Sequence, residues 1–268
     1  MNMKRIILLF FLIFCIMVLA SCEVDPSGFA VSSDVDDRFD ESTALPDKSN
    51  VSIGGTDFSF IVISDTHALH GTHAKLVELK DKLLPGDQFI LICGDVSACG
   101  YEEDYNAFYN ALNHSGLPFY PTIGNHDLYF GGWRYYKNIL GKPCYTFTAG
   151  PARIIALDSA NGTLGGKQKT WLEQTLQSKT EPLCFAFTHF EFFNPGFTDM
   201  EEVYYLMNLF EKNHVQYVFM GHTHWFYHKV VNGVNYINVP SFEDGQGEKY
   251  YIRMFVNGTN ISYQKLAL

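Results

Sequence analysis

Five short polar clusters stand out because each follows an apolar run: Asp65-Thr66-His67, Gly94-Asp95, Gly124-Asn125-His126-Asp127, Thr188-His189 and Gly221-His222-Thr223-His224. Their carboxylate, amide and imidazole groups are the mixed oxygen and nitrogen donors that suit Mn, Fe or Zn. Together the clusters supply more donors than one tetrahedral zinc accommodates, a set suited to two cations sharing an aspartate. Taken singly, Asp-x-His reads as a helix cap and Gly-Asp as a turn. Gly-Asn-His-Asp is the more specific element. All five in order, each behind a predicted strand, form the strongest signal in the chain.

Apolar runs predict strands at residues 58–63, 89–93, 119–123, 144–147, 154–157, 183–187 and 215–220. Amphipathic stretches predict helices at 73–84, 102–113, 167–177 and 201–211. Further strands are expected at 226–231, 234–239, 250–255 and 261–265, the first two joined by the hairpin signal Asn232-Gly233. This order predicts a mixed α/β fold with two packed sheets. Asp65, Asp95 and Asn125 are each thirty residues apart, about one strand–helix unit. Open α/β sheets hold their sites beyond the carboxyl ends of their strands, so five such loops can converge on one point. Gly94, Gly124 and Gly221 are expected to permit the sharp turns this requires.

The set resembles the calcineurin-like metallophosphoesterases over about residues 56–242, including Leu157-Asp158-Ser159 and Gln168 with Trp171-Leu172-Glu173 as family structural positions. The resemblance implies a four-layer αββα sandwich of two mixed sheets. It implies two metal ions (Mn, Fe or Zn), one on Asp65, His67 and His224, the other on Asn125, His189 and His222, with Asp95 bridging both. A metal-activated hydroxide would attack the phosphorus of a small phosphorylated substrate, monoester or diester. His126 would act as general acid, with Asp127 orienting it. Many relatives carry an acid three residues after the bridging Asp, often followed by Arg. Here Ala98 and Cys99 stand there, which leaves His126 without an acid partner from that loop. A metal-binding Tyr, as purple acid phosphatases have at that point, is also missing. A catalytically weak, metal-containing binding lipoprotein and a non-phosphate metallohydrolase are the alternatives.

Aromatic residues crowd the motif loops: Tyr129, Phe130, Trp133, Tyr135 and Tyr136, then Phe190, Phe192, Phe193, Trp225 and Phe226. They read as loop packing over the core or as a wall against substrate. Tyr129, Trp133 and Arg134 are the candidate substrate contacts. Arginine is otherwise scarce, so no second guanidinium clamps a dianion, and the balance leans toward diesters or small esters. His73 and His70 are expected to cap or decorate the following helix.

Outside this region the chain begins with Lys4-Arg5 and an apolar run from Ile6 to Ala20, ending in Leu19-Ala20-Ser21-Cys22. The run is short for a bilayer-spanning helix. Its end resembles a bacterial lipobox, which implies lipidation of Cys22, a signal peptide at 1–21 and anchoring in the bacterial envelope outside the cytoplasm. Ordinary signal cleavage is the alternative. Residues 22–50, rich in acids and broken by Pro, Gly and Ser, read as a flexible tether, with an acidic binding arm as the other possibility. Residues 51–268 form the domain. With 19 Lys and Arg against 29 Asp and Glu, a formal charge of −10 argues against a nucleic-acid-binding surface. Cys93 and Cys184 read as buried small hydrophobes, and a disulfide is permitted but not indicated.

Overall fold

A computed structural model of the protein describes residues 33–46, 52–71, 73–193, 199–245 and 247–268. The expected signal peptide at 1–21 and the expected lipidation site Cys22 lie outside the described residues. Within them no helix is long and apolar enough to cross a membrane.

Two mixed sheets form the centre. One runs β1(Ser52–Ile53), β5(Tyr145–Ala149), β6(Ala152–Ala156), β7(Leu183–Phe187), β8(Tyr217–Met220), β10(Val234–Asn238) and β9(Tyr227–Val231) in spatial order. The other runs β12(Asn260–Ala267), β11(Tyr250–Asn257), β2(Asp57–Ile63), β3(Asp87–Cys93) and β4(Phe119–Thr122). The strands that lead into the motifs are parallel: β2, β3 and β4 in one sheet, β7 and β8 in the other. Their carboxyl ends therefore share an edge within each sheet.

The apolar runs are continuous because both faces of these strands are covered. Phe58, Phe60 and Val62 of β2, with Phe89, Leu91 and Cys93 of β3, face the other sheet and meet Phe185, Phe187 and Phe219. The alternate residues Ile61, Ile63, Ile90 and Ile92 face an outer helical layer. That layer comprises α2(Ala74–Glu78), α3(Glu102–Asn113) and α4(Trp133–Ile139). On the far side, Ile155, Cys184, Ala186 and Val218 pack against α5(Gly165–Ser178) and α6(Met200–Lys212). Helix, sheet, sheet, helix is the expected four-layer sandwich. Each large side chain buried this way contributes about 1.5–3 kcal/mol. Cys93 and Cys184 sit in these layers, and all four described cysteines, Cys99 and Cys144 included, are unpaired.

The expected tether over 22–50 does not hold for its described part. Residues Val35–Ser42 form a helix, α1, capped by Asp34, and its buried face is Val35, Arg38 and Ser42. Arg38 is fully buried and makes a two-point ion pair with Asp158, at 2.8 and 2.9 Å. The helix touches both outer layers. Asp36 accepts from the Gly166 and Lys167 N–H groups at the start of α5, and Glu41 accepts from Trp133 Nε1 and Lys137 Nζ on α4. Apolar periodicity could not reveal α1, because its central anchor is a charged residue.

The other departures are local. The expected helix at 73–84 is a short α2 continued by a 3-10 turn, Leu79–Lys82. His73 caps it, its Nδ1 accepting from the Leu76 N–H, as expected. A 3-10 segment over His126–Gly131 and helix α4 had no periodicity long enough to be read.

Candidate metal centre

The five clusters follow β2, β3, β4, β7 and β8 and converge on one crevice. Backbone hydrogen bonds fix their relative depth: Asp65 N–H donates to Gly94 O, His67 N–H to Asp95 O, and Gly221 N–H to His189 O. Asp65, His67, Asp95, His222 and His224 all have positive φ, between 43 and 72°. For residues other than glycine this left-handed region is uncommon and costs roughly 1–3 kcal/mol each. These hydrogen bonds, with His222 N–H on the Asp65 carboxylate at 3.1 Å and Ser241 N–H on the His224 carbonyl, hold the backbone at the crevice.

Gly124 and Gly221 serve by size, not by the turn expected of them. A Cβ on Gly124 would stand 2.1 Å from Asp95 Oδ1, and one on Gly221 would stand 2.0 Å from Ser64 Oγ and 2.6 Å from Asp65 Oδ2. No side chain fits between these carboxylates and the neighbouring loops.

The donor atoms fall into two groups. His224 Nε2 lies 3.3 Å from Asp65 Oδ1 and 3.2 Å from His67 Nε2. On the other side, His189 Nε2 lies 3.2 Å from Asp95 Oδ2, 3.1 Å from Asn125 Oδ1 and 3.3 Å from His222 Nδ1. Asp95 reaches both groups, since His67 Nε2 is 3.8 Å from the same Oδ2. Asp65–His67–His224 and Asp95–His189–His222 can each hold a cation, and a third, overlapping group, His67–Asp95–His126, brings His126 within reach of the same donors. Ligands about 2.0–2.2 Å from a metal stand roughly 3.4 Å apart in a tetrahedral shell, so the donor set fits divalent metal binding. Paired imidazole nitrogens this close need a cation or a proton between them.

Second contacts fix the ring orientations. His189 Nδ1 is 2.8 Å from the Cys93 carbonyl. A carbonyl only accepts, so Nδ1 carries a proton and Nε2 is the nitrogen turned to the crevice, free to ligate a cation once its own proton is displaced. Asp95 Oδ1 accepts from the His126 N–H at 2.9 Å, leaving Oδ2 to the crevice. Burial opposes a charged His189, but the adjacent Asp95 carboxylate outweighs it and raises the group to about 9. Burial also opposes the ionised Asp95, yet His189 holds it below the ordinary carboxylate range. Burial and the nearby His189 push His222 down to about 4.

His126 borders the groups, its ring 4.7 Å from that of His67. Its Nδ1 lies 2.8 Å from the Ala98 carbonyl. The loop that lacks an acid side chain thus supplies a backbone acceptor in its place. A backbone partner leaves no trace in residue identity, so the sequence could not disclose it.

Asp127 does not orient His126. It is buried and accepts from the N–H groups of Val96, Ser97 and Gly124, at 3.2, 2.9 and 2.9 Å. It is a staple between two motif loops. Burial, reinforced by Asp95, pushes it up to about 7 against those three donors.

Of the candidate substrate contacts, Tyr129 lies at the crevice. Its hydroxyl accepts from Asn125 Nδ2 at 3.2 Å and its ring is 4.8 Å from His126. Trp133 is buried, stacked on Tyr136 and bonded to Glu41, so it packs and is not available to substrate. Arg134 lies over the Tyr135 ring and donates to its hydroxyl. Gln168 brackets the Asp158 backbone, accepting from its N–H and donating to its carbonyl, a structural role as expected. Sequence reasoning passed over Glu191, which is buried, two residues from His189, with Oε1 unbonded among the described residues and Oε2 accepting from the Tyr227 hydroxyl.

The sequence profile of the family described as "Calcineurin-like phosphoesterase" matches residues 58–226. A comparison with curated proteins finds no match. Among solved structures, the chain is similar to the purple acid phosphatase PPD1 from yellow lupin (Lupinus luteus) seeds, with TM-score 0.62 and 12% identity over 82% of this chain. It spans 53% of the lupin chain, about half of that protein. It is also similar to GAP50, the anchor in the inner membrane complex of Plasmodium, with TM-score 0.58 and 14% identity, covering 80% of this chain and 85% of that one. PhoD gives TM-score 0.57 and 12% identity, with 82% and 70% covered. At these identities the likeness is one of fold.

Proposed function

Because the chain belongs to the calcineurin-like phosphoesterases, we propose that it hydrolyses a phosphoric ester at a two-cation centre. The observation that carries this is the convergence of two donor groups on Asp95, whose Oδ2 lies within 3.2 Å of His189 and 3.8 Å of His67. Asp65, His67 and His224 would hold one cation, Asn125, His189 and His222 the other, and Asp95 both. Two such cations would supply Lewis-acid stabilisation of the phosphoryl charge and make water more acidic. The protein's own part is to hold the donors rigid and to handle the leaving group. His126, with Nδ1–H held by the Ala98 carbonyl, would present Nε2–H to the departing oxygen. Tyr129 would keep the Asn125 amide and the His126 ring in place.

Metal analysis of the full-length protein, paired with monoester and diester hydrolysis and inhibition by phosphate, tests this reading. Two equivalents of Mn, Fe or Zn and hydrolysis that falls on chelation are expected. Two metals bound with negligible hydrolysis would favour a metal-stapled binding protein instead. We also propose that Cys22 is lipidated and holds the enzyme on the outer side of a bacterial envelope membrane. Cys22→Ala should then move the protein from the membrane to the soluble fraction, and an unchanged distribution would refute the anchor.

A further inference from the structure

The loops around the crevice hold no Lys or Arg. Residues 65–71, 94–101, 124–133, 157–165, 188–193, 221–228 and 239–245 contain none. Basic side chains just beyond them are engaged elsewhere, Arg134 over Tyr135 at 4.4 Å, Lys229 over Phe193 at 4.2 Å and Lys167 on Asp40. Cations at the donor groups would attract one phosphoryl group. A second anion on the substrate would find no basic partner there.

The rim beside His224 has the opposite character. His224 is the most open of the candidate ligands for which side-chain exposure decides access, at 42%. Trp225 follows it and is 75% exposed, an unusual state for the largest apolar side chain. The strand-to-loop segment after β10 lies against the same place. Ser241 N–H donates to the His224 carbonyl, and Glu243 N–H donates to Ser241 Oγ. Glu243 is exposed, on the segment that these two hydrogen bonds tie to the His224 backbone. The neighbouring Asp244 is already committed to the N–H groups of Ala74 and Lys75, so Glu243 is the carboxylate available to a ligand. An open indole face and a carboxylate together recognise an ammonium group, by attraction to the ring and by charge.

Resting on the phosphoesterase reading, we propose that the substrate is a phosphodiester with an ammonium-bearing ester arm, held by Trp225 and Glu243 at the His224 rim. The test compares p-nitrophenyl phosphocholine with its neutral 3,3-dimethylbutyl isostere on the full-length protein. Wild type is expected to favour the ammonium ester in kcat/KM by about 10-fold. Trp225→Ala should bring the ratio close to one, Trp225→Phe should restore part of it, and Glu243→Gln should lower it. Phosphocholine should also perturb tryptophan fluorescence in wild type, a signal lost in Trp225→Ala. Equal efficiency toward the two esters in wild type, or a ratio unchanged in the Trp225→Ala and Glu243→Gln variants, overturns the proposal. If neither ester nor bis(p-nitrophenyl) phosphate is cleaved while the Trp225-dependent fluorescence response remains, the phosphoesterase reading fails and the ammonium site stands.

Discussion

His126 and Asp127 are neighbours in sequence with separate tasks. His126 stands at the edge of the donor groups, held by the Ala98 backbone carbonyl, with its own N–H on Asp95. His126→Ala should lower kcat by about 10²–10⁴-fold, the range for loss of a general acid, with metal content retained. Loss of both metals would reassign the residue. Asp127→Asn tests the staple. An amide NH₂ would replace one acceptor oxygen and face a backbone N–H, leaving one carbonyl oxygen for three buried donors and at least one of them without a partner. The expected cost is about 1–3 kcal/mol in denaturant unfolding, with weaker metal retention. A variant as stable as wild type but selectively slow would return Asp127 to the proton-transfer step. At this scale the donor set was legible because its chemistry resides in side-chain identity. The positive φ values, the Ala98 carbonyl and the space denied at Gly124 and Gly221 were not, since they arise from contacts between loops far apart in the chain.

Among the elements, the strands leading into the motifs were legible and α1 was not. A strand buried on both faces announces itself as an unbroken apolar run, as in residues 89–93. Helix α1 instead buries Val35, Arg38 and Ser42, and the pattern looks polar unless the partner Asp158 is known. Asp158 leads directly to Ser159, whose Oγ bonds the Thr188 hydroxyl and the Phe190 N–H on either side of His189. The N-terminal helix is thus tied to a ligand-bearing loop. Arg38→Ala would leave Asp158 buried without its partner and should cost about 3–5 kcal/mol, measured as a shift in the denaturant midpoint. A chain started at residue 51 should be destabilised in the same way, and one started at 33 should not. Equal stability of the two truncations would show that α1 merely rests on the domain.

For the whole molecule, the same crevice that suits cations is a liability without them. Asp65 and Asp95 are buried within a few ångströms of His67, His189 and His222, whose charges are set in opposite directions: His189 raised to about 9, His222 lowered to about 4. The four layers hold these groups together through contacts remote from the crevice, so the fold does not depend on metal in the way a small zinc domain does. Metal should nevertheless add stability by mass action, about 2.7 kcal/mol when its free concentration is a hundred times the dissociation constant. Thermal unfolding of chelated protein, repeated with added Mn or Zn, should therefore show a cooperative transition in both states and a higher midpoint with metal. His222→Ala, which removes a donor without opening a core layer, should reduce that increment while leaving the chelated midpoint nearly unchanged. A midpoint insensitive to metal in the wild-type protein would mean that the donors do not act together as one centre.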